Sequence, residues 1–245
     1  MDHMMREDLL ALVTDKETWT RREFVADSHA QAVKKRTHMC MLGLAFAAAF
    51  GLALSTASAQ TIVDEWANVK APPAPQLKPV TVDVKTTALL MIDFVNQTCS
   101  VRPRCIASLP AVKNFLTEAR AKGMMVVYTT GPGGKVADTR QEVAPTGGEP
   151  VFTSGPDKFL NTDLDKVLKD KGIQTVITIG TLAQGGVLST ASAAGLRGMK
   201  VIVPVDGMSS EGENTYAEQY TAWHLANAPV FSRNVTLTKF DMVKF

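Results

Sequence analysis

The chain is short of histidine, shorter of cysteine, and nearly without net charge, and each shortage removes a class of function. Its four histidines and three cysteines lie apart, without the His, Cys and carboxylate spacing that holds zinc, so neither a metal nor another cofactor is expected. A net charge of +2 with scattered basic residues gives no electrostatic surface for nucleic acid. No period of about 20 to 50 residues recurs, which excludes a solenoid. No apolar run reaches the roughly 20 residues of a membrane span. What remains is ample apolar material, 45% of 245 residues, enough for one substantial core.

The first 59 residues read as an export segment. Lys34-Lys35-Arg36 precedes an apolar stretch from Met41 to Leu54, and Ala57-Ser58-Ala59 follows as a small-residue cleavage site. Upstream, Arg21-Arg22 sits in a displaced twin-arginine motif. The chain is therefore expected to be periplasmic or secreted, with no stable membrane span after cleavage. Residues 60–81 form a Pro-rich arm, because Ala71-Pro-Pro-Ala-Pro75 continues neither helix nor central strand. The arm is expected to lie across its own domain or on a neighbouring subunit. Residues 82–245 form the domain proper. Within it Cys99 and Cys105 either close a small disulfide loop or stay free, and export favours the disulfide.

From Thr81 onward strands alternate with helices. Strands are expected up to about Asp93, at Met124–Thr130, Gln174–Ile179 and Lys200–Val205, with an edge strand at Asn234–Thr238. Helices are expected at Ser108–Lys122 (opened by Pro110), at Asn161–Lys171, after Gly186 and at Asn214–Ala226. Gly131 to Pro156 is a long loop of the kind usually tied to function. This alternation gives an α/β fold, an open and mostly parallel Rossmann-like sheet with helices on both faces. In such sheets the ligand crevice lies beyond the carboxyl ends of the strands. The strand Thr87-Ala-Leu-Leu-Met-Ile92 delivers Asp93 there, and Val176-Ile-Thr-Ile-Gly180 delivers the turn Gly185-Gly186.

Four segments together resemble the isochorismatase-like hydrolases, also called the cysteine hydrolase superfamily. They are Leu-Met-Ile-Asp93, Lys158-Phe159-Leu-Asn-Thr162-Asp-Leu164, the turn and helix from Gly180 to Ala191, and Val201-Ile-Val-Pro-Val-Asp206 followed by Ser209. The resemblance covers about Thr86 to Thr238 and implies a catalytic Asp, Lys and Cys. The aspartate falls on Asp93. Counting back from Phe159, the lysine position falls on Thr153, so Lys158 is out of register and expected at the solvated entry of a helix. The cysteine position falls on Gly186. Relatives that hydrolyse the vinyl ether of isochorismate also carry glycine there and use the aspartate as acid/base with water.

The expected function is thus an exported hydrolase of a small molecule, in which Asp93 assists attack by water without a cysteine nucleophile. The alternative is an inactive small-molecule-binding protein that keeps the fold. Candidate catalytic residues are Asp93 and Lys158, and candidate substrate contacts are Gln97, Thr153, Gly185 and Gly186, the last two through backbone N–H donors. Arg102 and Arg104 are expected to be solvated loop arginines, and His224 to serve packing or an interface. Partners are a small-molecule substrate and further copies of the chain in a homo-oligomer, with no nucleic acid.

Overall fold

A computed structural model describes residues 61–212 and 215–245. The export segment, Cys40 and the twin-arginine motif lie outside the described residues. After a short helix α1 (Ile62–Glu65) the arm runs to β1 (Val80–Thr81), which pairs in parallel with the last strand β9 (Val243–Lys244). The main sheet is built from β2 (Thr87–Ile92), β3 (Met125–Thr130), β4 (Val151–Thr153), β5 (Thr175–Thr181), β6 (Lys200–Pro204) and β8 (Val235–Thr238). Their order is β4-β3-β2-β5-β6-β8, every neighbour parallel, so β8 lies at an edge. A two-residue strand β7 (Met208–Ser209) pairs with the far end of β5 beyond the reach of β6.

The chain winds outward from β2 through β3 to β4, then returns to the centre at β5 and winds the other way. The order therefore reverses between β2 and β5, which is where a parallel sheet opens a crevice. All six residues of β2 are buried, as a central strand covered on both faces must be. Ala88, Leu90 and Ile92 face one core with α4 (Leu164–Asp170), α5 (Leu188–Leu196) and α6 (Thr215–Asn227). Leu89 and Met91 face the other core, with α3 (Pro103–Ala121). Small residues in α5 let it sit close, and a side chain at Gly195 would press on Phe231.

Two boundaries differ from expectation for local reasons. Helix α3 begins at Pro103, not at Ser108, and Pro110 lies inside it. Pro103 takes the first helical position, where a missing N–H costs nothing, and both Pro110 and Ile106, whose carbonyl Pro110 cannot bond, are on the exposed side. The helix expected at Asn161 starts at Leu164. The preceding stretch is a succession of turns in which Asn161 has a positive φ of 57°.

Candidate active site

Asp93 leaves β2 in the left-handed region, φ 54°, a conformation that aspartate tolerates better than most residues. Three contacts hold it there. Its N–H bonds the Thr129 carbonyl at 3.3 Å, and the Thr98 hydroxyl donates to its carbonyl at 2.5 Å. The Cys99–Cys105 disulfide, Cα atoms 5.3 Å apart, links α2 (Asn96–Cys99) to the first turn of α3. From the other side the long loop bridges Thr139 to Val95 and donates Arg140 N–H to the Phe94 carbonyl at 2.8 Å. The carboxylate itself is bound on both oxygens: the Thr129 hydroxyl reaches Oδ1 at 2.8 Å, and Lys158 Nζ reaches Oδ2 at 2.7 Å.

Lys158 is 1% exposed, the opposite of the solvated helix entry expected for it. The turns from Ser154 to Thr162 invert the side chain. Ser154 Oγ donates to the carbonyls of Asp157 and Leu160, both at 2.9 Å, and Thr162 Oγ1 donates to the Lys158 carbonyl at 2.6 Å. Thr190 of α5 accepts the Lys158 N–H at 3.3 Å and donates to the Pro156 carbonyl at 3.1 Å. Phe159 is buried beneath the Arg197 guanidinium, 4.6 Å from its ring centre. With its neighbours so fixed, Lys158 can only point inward. A buried ammonium is tolerable because the Asp93 carboxylate answers it.

Thr153, the position reached by counting, is exposed at the end of β4, its hydroxyl 2.8 Å from that of Thr130. Gln97 is exposed on α2. Gly186 closes the constellation. A Cβ built there would lie 3.6 Å from Asp93 Oδ2 and 3.8 Å from Lys158 Cε, and 2.8 Å from the Ile92 Cγ2 methyl. The side-chain position at 186 therefore abuts both members of the ion pair and is empty of any reactive group. Gly180, paired with Ile92, admits no side chain at all, because a Cβ would overlap the Ile92 carbonyl at 2.1 Å.

One expected donor is already used. Gly185 N–H bonds the Leu182 carbonyl at 3.1 Å within the Ala183–Val187 turn, so it does not point at a ligand. The two arginines expected in a solvated loop are held by partners, although Arg104, in the first turn of α3, keeps 41% of its side chain exposed. Arg104 forms a two-point ion pair with Glu218 of α6, one bond at 2.7 Å, and Arg102 donates to the Thr98 carbonyl. His224 packs between Tyr220 and Phe231. Thr129, Thr98 and Thr190 went unmarked in the sequence. Only Thr129 carried a signal, as a polar residue at the carboxyl end of a strand beside β2.

A carboxylate and a lysine are thus paired at the switch point of a parallel sheet, where open α/β sheets bind their ligands. The isochorismatase domain profile matches residues 87–234, and the chain belongs to that family. Over 144 residues it is 26% identical to the secreted isochorismatase effector Isc1 of Verticillium dahliae, covering 53% of this chain and 76% of that one. An isochorismatase-like hydrolase of Alkaliphilus metalliredigens superposes with a TM-score of 0.56 at 25% identity, covering 64% of this chain and 95% of that one. A cysteine hydrolase of Pseudomonas syringae pv. phaseolicola superposes with a TM-score of 0.57 at 18% identity, over 70% of this chain and 95% of that one, a likeness of fold alone.

Proposed function

We propose that the chain is an exported hydrolase that cleaves a vinyl ether in a small molecule with water, without a covalent intermediate. The supporting observation is that residue 186 is a glycine, with no side chain at a position that borders both Asp93 and Lys158. Acyl transfer would need a thiolate there. Cys99 and Cys105 are joined to each other and fully buried, so neither serves instead.

In this reading Asp93 carries a proton to the methylene carbon of the vinyl ether. Charge then develops at the carbon bearing the ether oxygen. Water adds to that carbon and returns a proton to Asp93, and the hemiketal collapses to a carbonyl compound and an alcohol. Atoms balance with one water consumed. Lys158 compensates the Asp93 carboxylate in the interval between delivery of its proton and the return of one from water. Gln97 and Thr153, exposed on segments at the same end of the sheet, are assigned to the substrate. That a relative is named a secreted isochorismatase makes isochorismate the first substrate to try, export notwithstanding.

The test is loss of isochorismate and release of pyruvate by the purified protein, with Asp93→Asn beside it. The expected result is turnover that falls about 10²–10⁴-fold in the variant, the range for removing a positioned acid/base, and that is unaffected by thiol alkylation. Absence of turnover on isochorismate and on simpler vinyl ethers, with ligand still bound, would overturn this reading in favour of a binding protein. The export assignment predicts a released chain beginning at Gln60, read by terminal sequencing. We also assign the chain a homo-oligomeric state.

A further inference from the structure

Of the five tryptophans and tyrosines among the described residues, only Tyr128 is buried; Trp66, Tyr216, Tyr220 and Trp223 all stand at the surface. They fall in two places. Tyr216, Tyr220 and Trp223 recur at helical spacing along the outer side of α6, and with Lys70 and Pro72 of the arm they line a groove of about 350 Å³. No charged side chain interrupts this ridge, since Glu218 turns inward to Arg104. The second place is the start of the arm, where Ile62, Val63, Trp66 and Val69 are all exposed, Trp66 at 67%. Their spacing puts them along one side of a helical turn, yet no residue from Ile62 to Asn68 is buried.

The arm is already anchored beside the groove: Gln219 of α6 donates to the Pro72 carbonyl at 2.6 Å, and Lys78 N–H bonds the Leu237 carbonyl at 2.9 Å. Trp66 is four residues ahead of Lys70, which forms the rim, but is not among the residues that line the groove. We propose that two copies of this chain exchange arms about a two-fold axis at that rim, Trp66 of each filling the aromatic groove on α6 of the other. A two-fold contact sets like against like; the α6 ridge carries no charge to repel its copy, and Lys70, the one charged side chain lining the groove, is exposed at its rim. The seven exposed apolar and aromatic side chains offer on the order of 900 Å² per copy, so both copies together reach the roughly 1,200–2,000 Å² of a stable interface. Aromatic anchors in an apolar patch are also what interface centres are made of.

The experiment is sedimentation velocity on the chain as purified from the cells that make it, in the micromolar range. Wild type is expected to be a dimer or a higher assembly of dimers. Trp66→Glu and Tyr220→Lys are each expected to weaken the dimer at least 100-fold while leaving circular dichroism unchanged, both positions being exposed. Mixing the two variants is expected to restore the dimer, because one contact is then Glu against Lys and the other is native. Trp66→Ala and Tyr220→Ala serve if either charged variant misfolds. A monomeric wild type, an assembly indifferent to these substitutions, or single-variant losses that mixing does not repair would each overturn the proposal. None of these readings involves turnover, so they stand apart from the hydrolase assignment.

Discussion

Two consecutive residues of β3 serve two ion pairs that could hardly be more different. Tyr128 points toward α3, where Arg120 binds Glu149 on both carboxylate oxygens at 2.8 and 2.7 Å and also reaches the Tyr128 hydroxyl and the Ala144 carbonyl. Glu149 further accepts the Thr146 N–H, and Tyr128 donates to the Val143 carbonyl. Burial pushes the Tyr128 hydroxyl well above its usual range, so it stays a neutral donor. Thr129 points the other way and meets the Asp93–Lys158 pair. There the carboxylate receives one side-chain donor on each oxygen, and the ammonium has one good partner beside a long contact to the Ser154 carbonyl at 3.4 Å. The first network is saturated and ties a loop to a helix. The second keeps hydrogen-bonding capacity in reserve beside Gly186, as the proposed proton transfer requires.

The largest expected difference between them appears when each cation is replaced by methionine. Lys158→Met strands a nearly buried carboxylate and should destabilise the fold by about 3–5 kcal/mol, with turnover lost. Arg120→Met leaves Glu149 partly solvated and should cost only about 1–3 kcal/mol, with turnover kept. Denaturant melts and initial rates measure both. Adding Asp93→Asn to Lys158→Met should recover much of the stability, because the pair becomes neutral and asparagine accepts the left-handed backbone. It should recover no activity. If Arg120→Met matched Lys158→Met in lost turnover, the division between a structural and a reactive pair would fail.

The strands and their ends were legible because apolar runs stop abruptly in polar or glycine residues, and this alone put Asp93 and Gly186 in one crevice. The direction of Lys158 was not legible. Counting back from Phe159 assumes regular geometry, whereas Ser154 to Thr162 is a set of turns stapled by three hydroxyls, one of them Thr190 on a distant helix. The use of Gly185 N–H inside its own turn was hidden for a similar reason, since the Ala183–Val187 turn returns its donors to Leu182. Local propensity specifies elements; the aim of a side chain depends on contacts remote in sequence.

A smaller effect is expected at Gly186. Alanine there puts a methyl 2.8 Å from Ile92 Cγ2, an overpacking that typically costs about 1–3 kcal/mol. It also narrows the space beside Asp93, so turnover should fall more than stability alone would explain. Cysteine at 186 meets the same methyl, and the thiol it brings should gain amidase activity only if Ile92 is also reduced to alanine, which removes that γ carbon. Assay of an amide substrate with G186C, alone and with I92A, distinguishes a merely missing nucleophile from a pocket closed around its absence.

The smallest expected effect is also the most specific to the reactive pair. Thr129→Val keeps the shape of a 2% exposed side chain and removes only the donor to Asp93 Oδ1. Stability should change by about 1 kcal/mol, the net worth of one hydrogen bond. The contact fixes which way the carboxyl group faces, so kcat should fall with KM little changed. Thr129→Ser restores the hydroxyl and should restore the rate. If Thr129→Val left kcat where it was, Thr129 would belong with Tyr128, as a part of the frame and not of the chemistry.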